Sequence, residues 1–395
     1  MHWVSRICGA TKLETAVDEV CDAVLEGLGG TAPDLAIVFV APQHRAGWVQ
    51  LPALLGERLG GAVLLGCSGA GIIGGAREIE QAPAISVLAA HLPGVELTPF
   101  HLTPESIPPP GTARHDWDAR LGLAESDDVS FVVLPDPLST RANDFVAAIG
   151  EAYAGSTIVG GLASGGDQPG QHALLAGNEV YGAGVVGLAM SGNIVVDTVV
   201  AQGCRPVGAP LFVTRGSGHV ISELDGRRPA DVLQDLYGTL SDRDRKLMRH
   251  SLSLGVVMSD GREVYRQGDF LVRNIVGLDG SSGALAVAAD VHDGQVVQFQ
   301  LRDKQTSAAD LETMLARHVT AHEDRPAGAL LFSCLGRGQY LYGQPDHDST
   351  MFRRHVGPVP LGGFFCSGEI GPVGGQTFVH GYTSVFALFR RKQLD

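Results

Sequence analysis

The feature that most constrains this chain is an internal repeat. Three stretches share one order: strand, polar loop, helix, a second strand ending in Gly/Cys/Ser, then a closing strand. The first copy opens with the apolar run Leu35–Val40 and continues through the loop 42–45 and a helical segment at 48–59. Its second strand, 62–65, ends in Gly66-Cys67-Ser68-Gly69, and a strand at 84–90 closes it. The second copy has the run 129–134, the loop PDPLST, a helix at 143–153, a strand at 157–159 ending in GGLASGG, and a strand at 180–190. The third has the run 329–333, the loop CLGRG, a short helix at 347–355, a strand at 359–361 ending in GGFFCSG, and a strand at 377–390.

A strand–helix–strand connection makes parallel neighbours with a right-handed crossover. The closing strand follows a short Gly-rich link, which suits antiparallel pairing. The expected fold is therefore mixed α/β, with partly antiparallel sheets and helices packed on them. Between the second and third copies the pattern changes. A helix is expected at 230–240, a strand at 252–258, a hairpin at 269–278 and 284–291, a strand at 296–301 and a helix at 307–321. The expected division is a helical lead-in over 1–34, an N-terminal domain over 35–224 with two copies, and a C-terminal domain over 225–395. The boundary is placed at 223–229, with the halves tightly packed because no flexible linker marks it.

Composition removes several classes of function. The net charge is −14 and no long basic run occurs, which argues against nucleic acid or a polybasic membrane contact. No apolar run reaches about 18 residues, so no membrane insertion is expected. The six cysteines show no regular spacing and the start shows no signal peptide, so reduced thiols in the cytoplasm are expected. No cofactor and no metal site are expected.

Several motifs compete for chemistry. Gly69-Ala70-Gly71-Ile72-Ile73-Gly74 satisfies GxGxxG, but no long helix opens at its third glycine, so a turn between strands is the better reading. Cys67, Cys334 and Cys366 end apolar runs, and His347, His355 or His380 could act as a base. Small buried core cysteine is the simpler reading. Asp346-His347-Asp348 reads as a solvated loop rather than a metal site.

The strongest site argument is geometric. Loops after two parallel strands emerge at one sheet edge, where ligands bind in open α/β sheets. This places Cys334–Gly338 of the third copy beside 365–372. Arg337 could clamp a carboxylate and Glu369 could accept from an ammonium group, which together suit a zwitterion. The competing reading is an Arg337–Glu369 ion pair that locks the two loops.

The segments GCSGAGIIGG, VVLPDPLST, VGGLASGG, QGCRPVG and ISELDGRRPA resemble the N-terminal FIST domain. FLVRNIVGLD, VQFQLRD, LLFSCLGRG, GGFFCSGEIGPVGG and FVHGYTSVFALF resemble the C-terminal FIST domain. FIST stands for F-box and intracellular signal transduction proteins. The resemblance implies a sensory module in signal transduction that binds a small ligand, with an amino acid as the expected type. It also implies a downstream signalling partner, which the sequence does not identify, since no kinase, methyl-acceptor or F-box segment is found. Matched motifs and the rim argument together give the expected ligand-binding residues: Cys334, Gly336, Arg337, Gly338, Cys366, Ser367, Gly368, Glu369 and His380, with Cys67 and Ser68. A sensor rather than an enzyme is expected. The alternatives are a thiol-dependent hydrolase or transferase and a non-enzymatic interaction scaffold.

Overall fold

The apolar runs that open the three copies become strands buried on both faces, as continuous runs in parallel pairs must. The computed structural model describes residues 1–124, 128–259 and 264–392. The first copy holds β1 (His2–Cys8), α1 (Leu13–Gly27), β2 (Leu35–Val40), α2 (Leu51–Leu59), β3 (Val63–Ser68), the hairpin β4 (Gly71–Gly74) and β5 (Arg77–Glu80), and β6 (Ile85–His91). The second holds β7 (Val95–Leu102), α3 (Arg114–Leu121), β8 (Val129–Pro135), α4 (Ala142–Ala152), β9 (Ile158–Gly161), the hairpin β10 (Leu174–Ala176) and β11 (Glu179–Tyr181), and β12 (Val185–Gly192).

The third copy starts with β13 (Val195–Ala201) and is then interrupted. The interruption carries β14 (Cys204–Pro206), β15 (Leu211–Ser217), β16 (Val220–Leu224), α5 (Pro229–Thr239), α6 (Asp242–Ser251), β17 (Leu252–Val257), β18 (Phe270–Leu278), β19 (Leu285–Val287) and β20 (Val296–Arg302). The copy resumes with α7 (Lys304–Ala321), β21 (Gly328–Cys334), α8 (Gly338–Tyr342), α9 (His347–Val356), β22 (Leu361–Cys366), the hairpin β23 (Glu369–Val373) and β24 (Gln376–His380), and β25 (Ser384–Arg390).

Pairing repeats faithfully. β2 and β3, β8 and β9, and β21 and β22 are parallel, while β6, β12 and β25 run antiparallel to the first strand of each pair. Each hairpin is donated to another copy. β4 joins β22, β23 joins β9, and β10 joins β3, so three six-stranded sheets interlock in a ring.

One position shows why the parallel pairs need glycine. Gly66, Gly160 and Gly363 face Val38, Val133 and Leu331, and a Cβ there would lie 1.9, 1.8 and 1.9 Å from the facing carbonyl oxygen. Alternation then divides the core. Leu35, Ile37 and Phe39 join Leu330, Phe332, Phe364 and Val132 in a central cluster shared by the three sheets, while Ala36, Val38 and Val40 face α1 and α2. Helix α1 meets them with Leu13, Ala16, Val17, Val20, Cys21 and Val24, spaced as one helical face.

Two compact units result. The first comprises Met1–Val200, Glu312–Val379 and the chain from Thr383 onward; the second comprises Ala201–Leu311 with His380–Tyr382. In the second unit β15, β16, β19, β18, β17 and β20 form a ring, because β20 pairs with both β15 and β17. Closure removes the open edges of a sheet.

These units differ from the expected layout in two respects. Packing does not divide the chain at 223–229, because β20 draws the whole 201–311 stretch into one sheet while the third copy completes the first unit. Residues 1–34 are not a helical lead-in alone, since β1 pairs with β6 along its whole length and belongs to the first copy. The expected closing strand at 377–390 is two strands, β24 and β25, broken at 381–383. Among the described residues, no helix is long and apolar enough to cross a membrane.

Candidate functional site

The loop after β21 is shaped by a glycine in the left-handed region, where another residue would be strained. Gly338 has a φ of 61°, and a Cβ there would lie 2.5 Å from Glu80 Oε1. The Arg337 N–H donates to the Cys334 carbonyl at 2.8 Å, so the chain turns sharply and sends the Arg337 side chain inward, where it is 0% exposed.

Arg337 meets Asp348 at the start of α9. Its Nε donates to Oδ2 at 2.8 Å and its Nη2 to Oδ1 at 3.1 Å, a two-pronged contact, while Nη2 also donates to the Tyr342 hydroxyl at 2.6 Å. Asp348 Oδ2 accepts further bonds from Ser333 Oγ at 3.2 Å and Ser384 Oγ at 2.7 Å. Burial acts to raise the Asp348 carboxyl, but the Arg337 charge, with hydrogen bonds from His347, Arg337 and Ser384, overcomes it and holds the group well below the usual range.

Two more carboxyls lie around this pair. Glu78, from the hairpin donated by the first copy, accepts the Ser349 N–H at 2.7 Å and the Ser349 hydroxyl at 2.8 Å. Burial and the nearby Asp348 charge push it up to about 8. Glu369, at the start of β23, accepts the Thr383 N–H at 2.9 Å and lies 3.5 Å from Cys366 Sγ. Burial also pushes Glu369 up to about 8, against its hydrogen bonds from Thr383 and the thiols of Cys366 and Cys334. Two buried polar atoms of this cluster, Arg337 Nη1 and Glu78 Oε2, have no hydrogen-bond partner among the described residues. A cavity of about 210 Å³ opens beside Ser349, lined by Arg6, Phe352, Arg353, Val359 and Leu361 among others.

The sequence expectations distribute as follows. Cys334, Gly336, Arg337 and Gly338 end β21 and enter α8; Cys366, Ser367, Gly368 and Glu369 join β22 to β23 beside them. Cys67 and Ser68 end β3 and connect through a residue that sequence reasoning missed. Ser68 Oγ donates to the Ser164 carbonyl at 3.2 Å, and Ser164 Oγ donates to the Phe365 carbonyl at 2.5 Å. His380 ends β24, is buried, and groups with the second compact unit.

Two expectations are corrected. The partner of Arg337 is Asp348, not Glu369, because α9 brings an ionised carboxylate into the fork while Glu369 is turned to Thr383 and the thiols. Asp346–Asp348 is not a solvated loop. Asp346 stands before α9 and accepts the Glu78 N–H at 2.5 Å, and Asp348 is 1% exposed. Glu78, Tyr342, Asp348 and Ser349 were also missed. Nothing in the sequence gives Arg77–Glu80 a role, and nothing local shows that this stretch forms a strand that joins another copy. Among the described residues, no group of three or more His, Cys, Asp or Glu side chains could hold a metal ion.

Comparison with known proteins agrees with the motifs. The FIST N domain model matches residues 34–227, and the FIST C domain model matches 229–372. The chain belongs to the FIST family. This family is associated with signal transduction. An uncharacterized protein of Mycobacterium tuberculosis (strain ATCC 25618 / H37Rv) is 35% identical over 380 residues, covering 96% of this chain and 97% of its own length. F-box only protein 22 of Homo sapiens is 24% identical over 179 residues, covering 40% of this chain and 41% of its own. A solved structure titled "Cyanuric acid hydrolase: evolutionary innovation by structural concatenation" aligns over 99% of this FIST chain and 100% of its own, with 12% identity and a TM-score of 0.33. At that TM-score the likeness carries nothing about activity.

Proposed function

We propose that this FIST protein is a cytoplasmic sensor that binds a small zwitterion, with an amino acid the favoured class, and passes the bound state to a signalling partner. The observation that carries this reading is the pair of unmatched buried atoms around Asp348. Burying polar atoms without partners is costly, so a donor on Arg337 and an acceptor on Glu78 call for a molecule offering both kinds of group. A ligand carboxylate would accept from Arg337 Nη1, and its ammonium group would donate to Glu78 Oε2 once that carboxyl gives up the proton it holds at neutral pH. The cavity beside Ser349, which Arg337 and Glu78 do not line, adds apolar surface from Phe352, Val359 and Leu361 nearby.

Binding without catalysis is supported by the state of the thiol. Cys366 is buried and closed to an incoming substrate, and burial, with Glu369 and Cys334 beside it, raises its thiol well above its ordinary value, which does not suit a nucleophile acting on a bound molecule. The test is a thermal-shift screen of the full chain against the amino acids, with the matching amines and carboxylic acids as controls. A ligand at about 100 times its Kd adds about 2.7 kcal/mol of stability. Stabilisation by an amino acid and by neither of its halves is the expected result. If single-charge analogues stabilise equally, or no amino acid does, the zwitterion reading fails.

A further inference from the structure

Strands β21 and β22 end on facing cysteines. Cys334 and Cys366 are register partners in the parallel pair. Alternation puts both side chains on one face, since Phe332 and Phe364, one pleat earlier, are also partners and their rings touch edge to face at 5.9 Å. Neighbouring strands lie about 4.8 Å apart, inside the range of roughly 4.4–6.8 Å that disulfide-bonded Cα atoms span. The two residues differ in access. Cys334 is partly exposed, while Cys366 is buried with its thiol 3.5 Å from Glu369 Oε1.

We infer that Cys334 and Cys366 form a reversible dithiol–disulfide couple that responds to hydroperoxides and stands at the mouth of the Arg337 loop. The accessible Cys334 thiol gives up its proton and attacks the terminal peroxide oxygen, the O–O bond breaks, and an alcohol or water leaves with that proton, giving a sulfenic acid on Cys334. The Cys366 sulfur then attacks the Cys334 sulfur. The S–S bond forms, the S–O bond breaks, and the hydroxyl leaves as water with the proton that Cys366 gives up. The two thiols lose two electrons and the peroxide gains them. The division of labour follows exposure: Cys334 meets the oxidant and Cys366 resolves. Oxidation takes both thiol donors from Glu369, so it changes the hydrogen bonding of the buried cluster. This inference rests on strand register and stands apart from the ligand reading above.

The experiment treats the full reduced chain with a slight excess of hydrogen peroxide, blocks free thiols, and maps peptides by mass spectrometry. The expected product is a Cys334–Cys366 cross-linked peptide that dithiothreitol releases, with Cys8, Cys21, Cys67 and Cys204 still alkylated after denaturation. In Cys366→Ser, a sulfenic-acid trap should label Cys334; in Cys334→Ser, Cys366 should stay unoxidised. Should Cys366→Ser fail to fold, the wild-type map still decides. Over-oxidation of Cys334 without a cross-link, or two thiols that remain free, would overturn the inference. Amino-acid binding by the reduced protein is scored separately, so loss of one result leaves the other standing.

Discussion

The Arg337–Asp348 pair offers the sharpest test of how the site is held. Both side chains are at most 1% exposed, and two charged hydrogen bonds join them. Replacing Asp348 with Ala removes the counter-charge and leaves a buried guanidinium. It also strands the Ser333 and Ser384 hydroxyls that donate to the same oxygen. Breaking a buried pair from one side costs about 3–5 kcal/mol, chiefly because the remaining charge stays unpaired. Arg337→Lys keeps the charge but loses the fork and the reach to Tyr342, for about 1.5–3 kcal/mol. The double change Arg337→Met with Asp348→Leu removes both charges and should recover most of the loss, since apolar replacement of a whole pair is often neutral or better. Urea unfolding of the wild type, Arg337→Met, Asp348→Leu and the double mutant, followed by fluorescence and circular dichroism, gives the coupling energy. Single losses under about 1 kcal/mol, or a double mutant as unstable as the two single losses combined, would refute the reasoning. Glu369→Gln is the control, because a carboxyl already held neutral loses little on becoming an amide. A loss as large as that of Asp348→Ala would show that Glu369, not Asp348, balances Arg337.

Further outcomes follow from the same cluster and scaffold. Glu78 and Glu369 sit at about 8 in the folded state against 4.5 ordinarily, so the folded protein holds more protons between those values. Their stabilising contribution is full below pH 4.5 and is lost as pH rises through 8, at up to about 1.4 kcal/mol per pH unit for each group. Urea midpoints from pH 5 to 8.5 should show this slope, and Glu78→Gln or Glu369→Gln should flatten it. Asp348 acts in the opposite sense, and its contribution is lost only as pH falls below the usual carboxylate range. Alanine at Gly66, Gly160 or Gly363 drives a Cβ into a backbone oxygen, so each should cost more than about 4 kcal/mol or prevent soluble expression.

The sequence carried the parallel pairs because apolar runs, polar loops and Gly-rich ends recur three times in one order. It did not carry the exchange of hairpins. Gly71–Gly74 and Arg77–Glu80 look like a local excursion, and their partner, β22, is nearly 300 residues away. For the same reason Glu78 was invisible as a site residue, while Arg337 stood out between two glycines. The charge of Arg337 was legible, but its partner was not, because Asp346–Asp348 reads as polar loop until α9 is seen to turn Asp348 inward. The extra strand of the third copy was hidden by interruption: 201–311 separates β13 from the rest of its copy.

The exchanged hairpin also decides whether the site can exist in part of the chain. The FIST C domain match, 229–372, contains Arg337, Asp348 and Glu369 but lacks β4 and β5. Without β4, strand β22 keeps β21 on one side and presents Leu361–Cys366 as an open, apolar edge on the other. Such an edge recruits other chains. Glu78 and Glu80 leave with the hairpin, which strips Ser349 of its acceptor and the Gln339 N–H of its own, a bond of 2.8 Å to Glu80. A fragment spanning 201–392 should therefore aggregate or fail to unfold cooperatively, even though it contains the CLGRG and FCSGEIGP motifs intact. Co-expression with the fragment 1–200 should restore solubility, and restoration should weaken with Gly74→Pro, which blocks pairing along β4. Size-exclusion chromatography and thermal unfolding of the separate and combined fragments test this. A 201–392 fragment that is monomeric, unfolds cooperatively, and loses stability on Asp348→Ala as the full chain does would show that the third copy builds its site unaided.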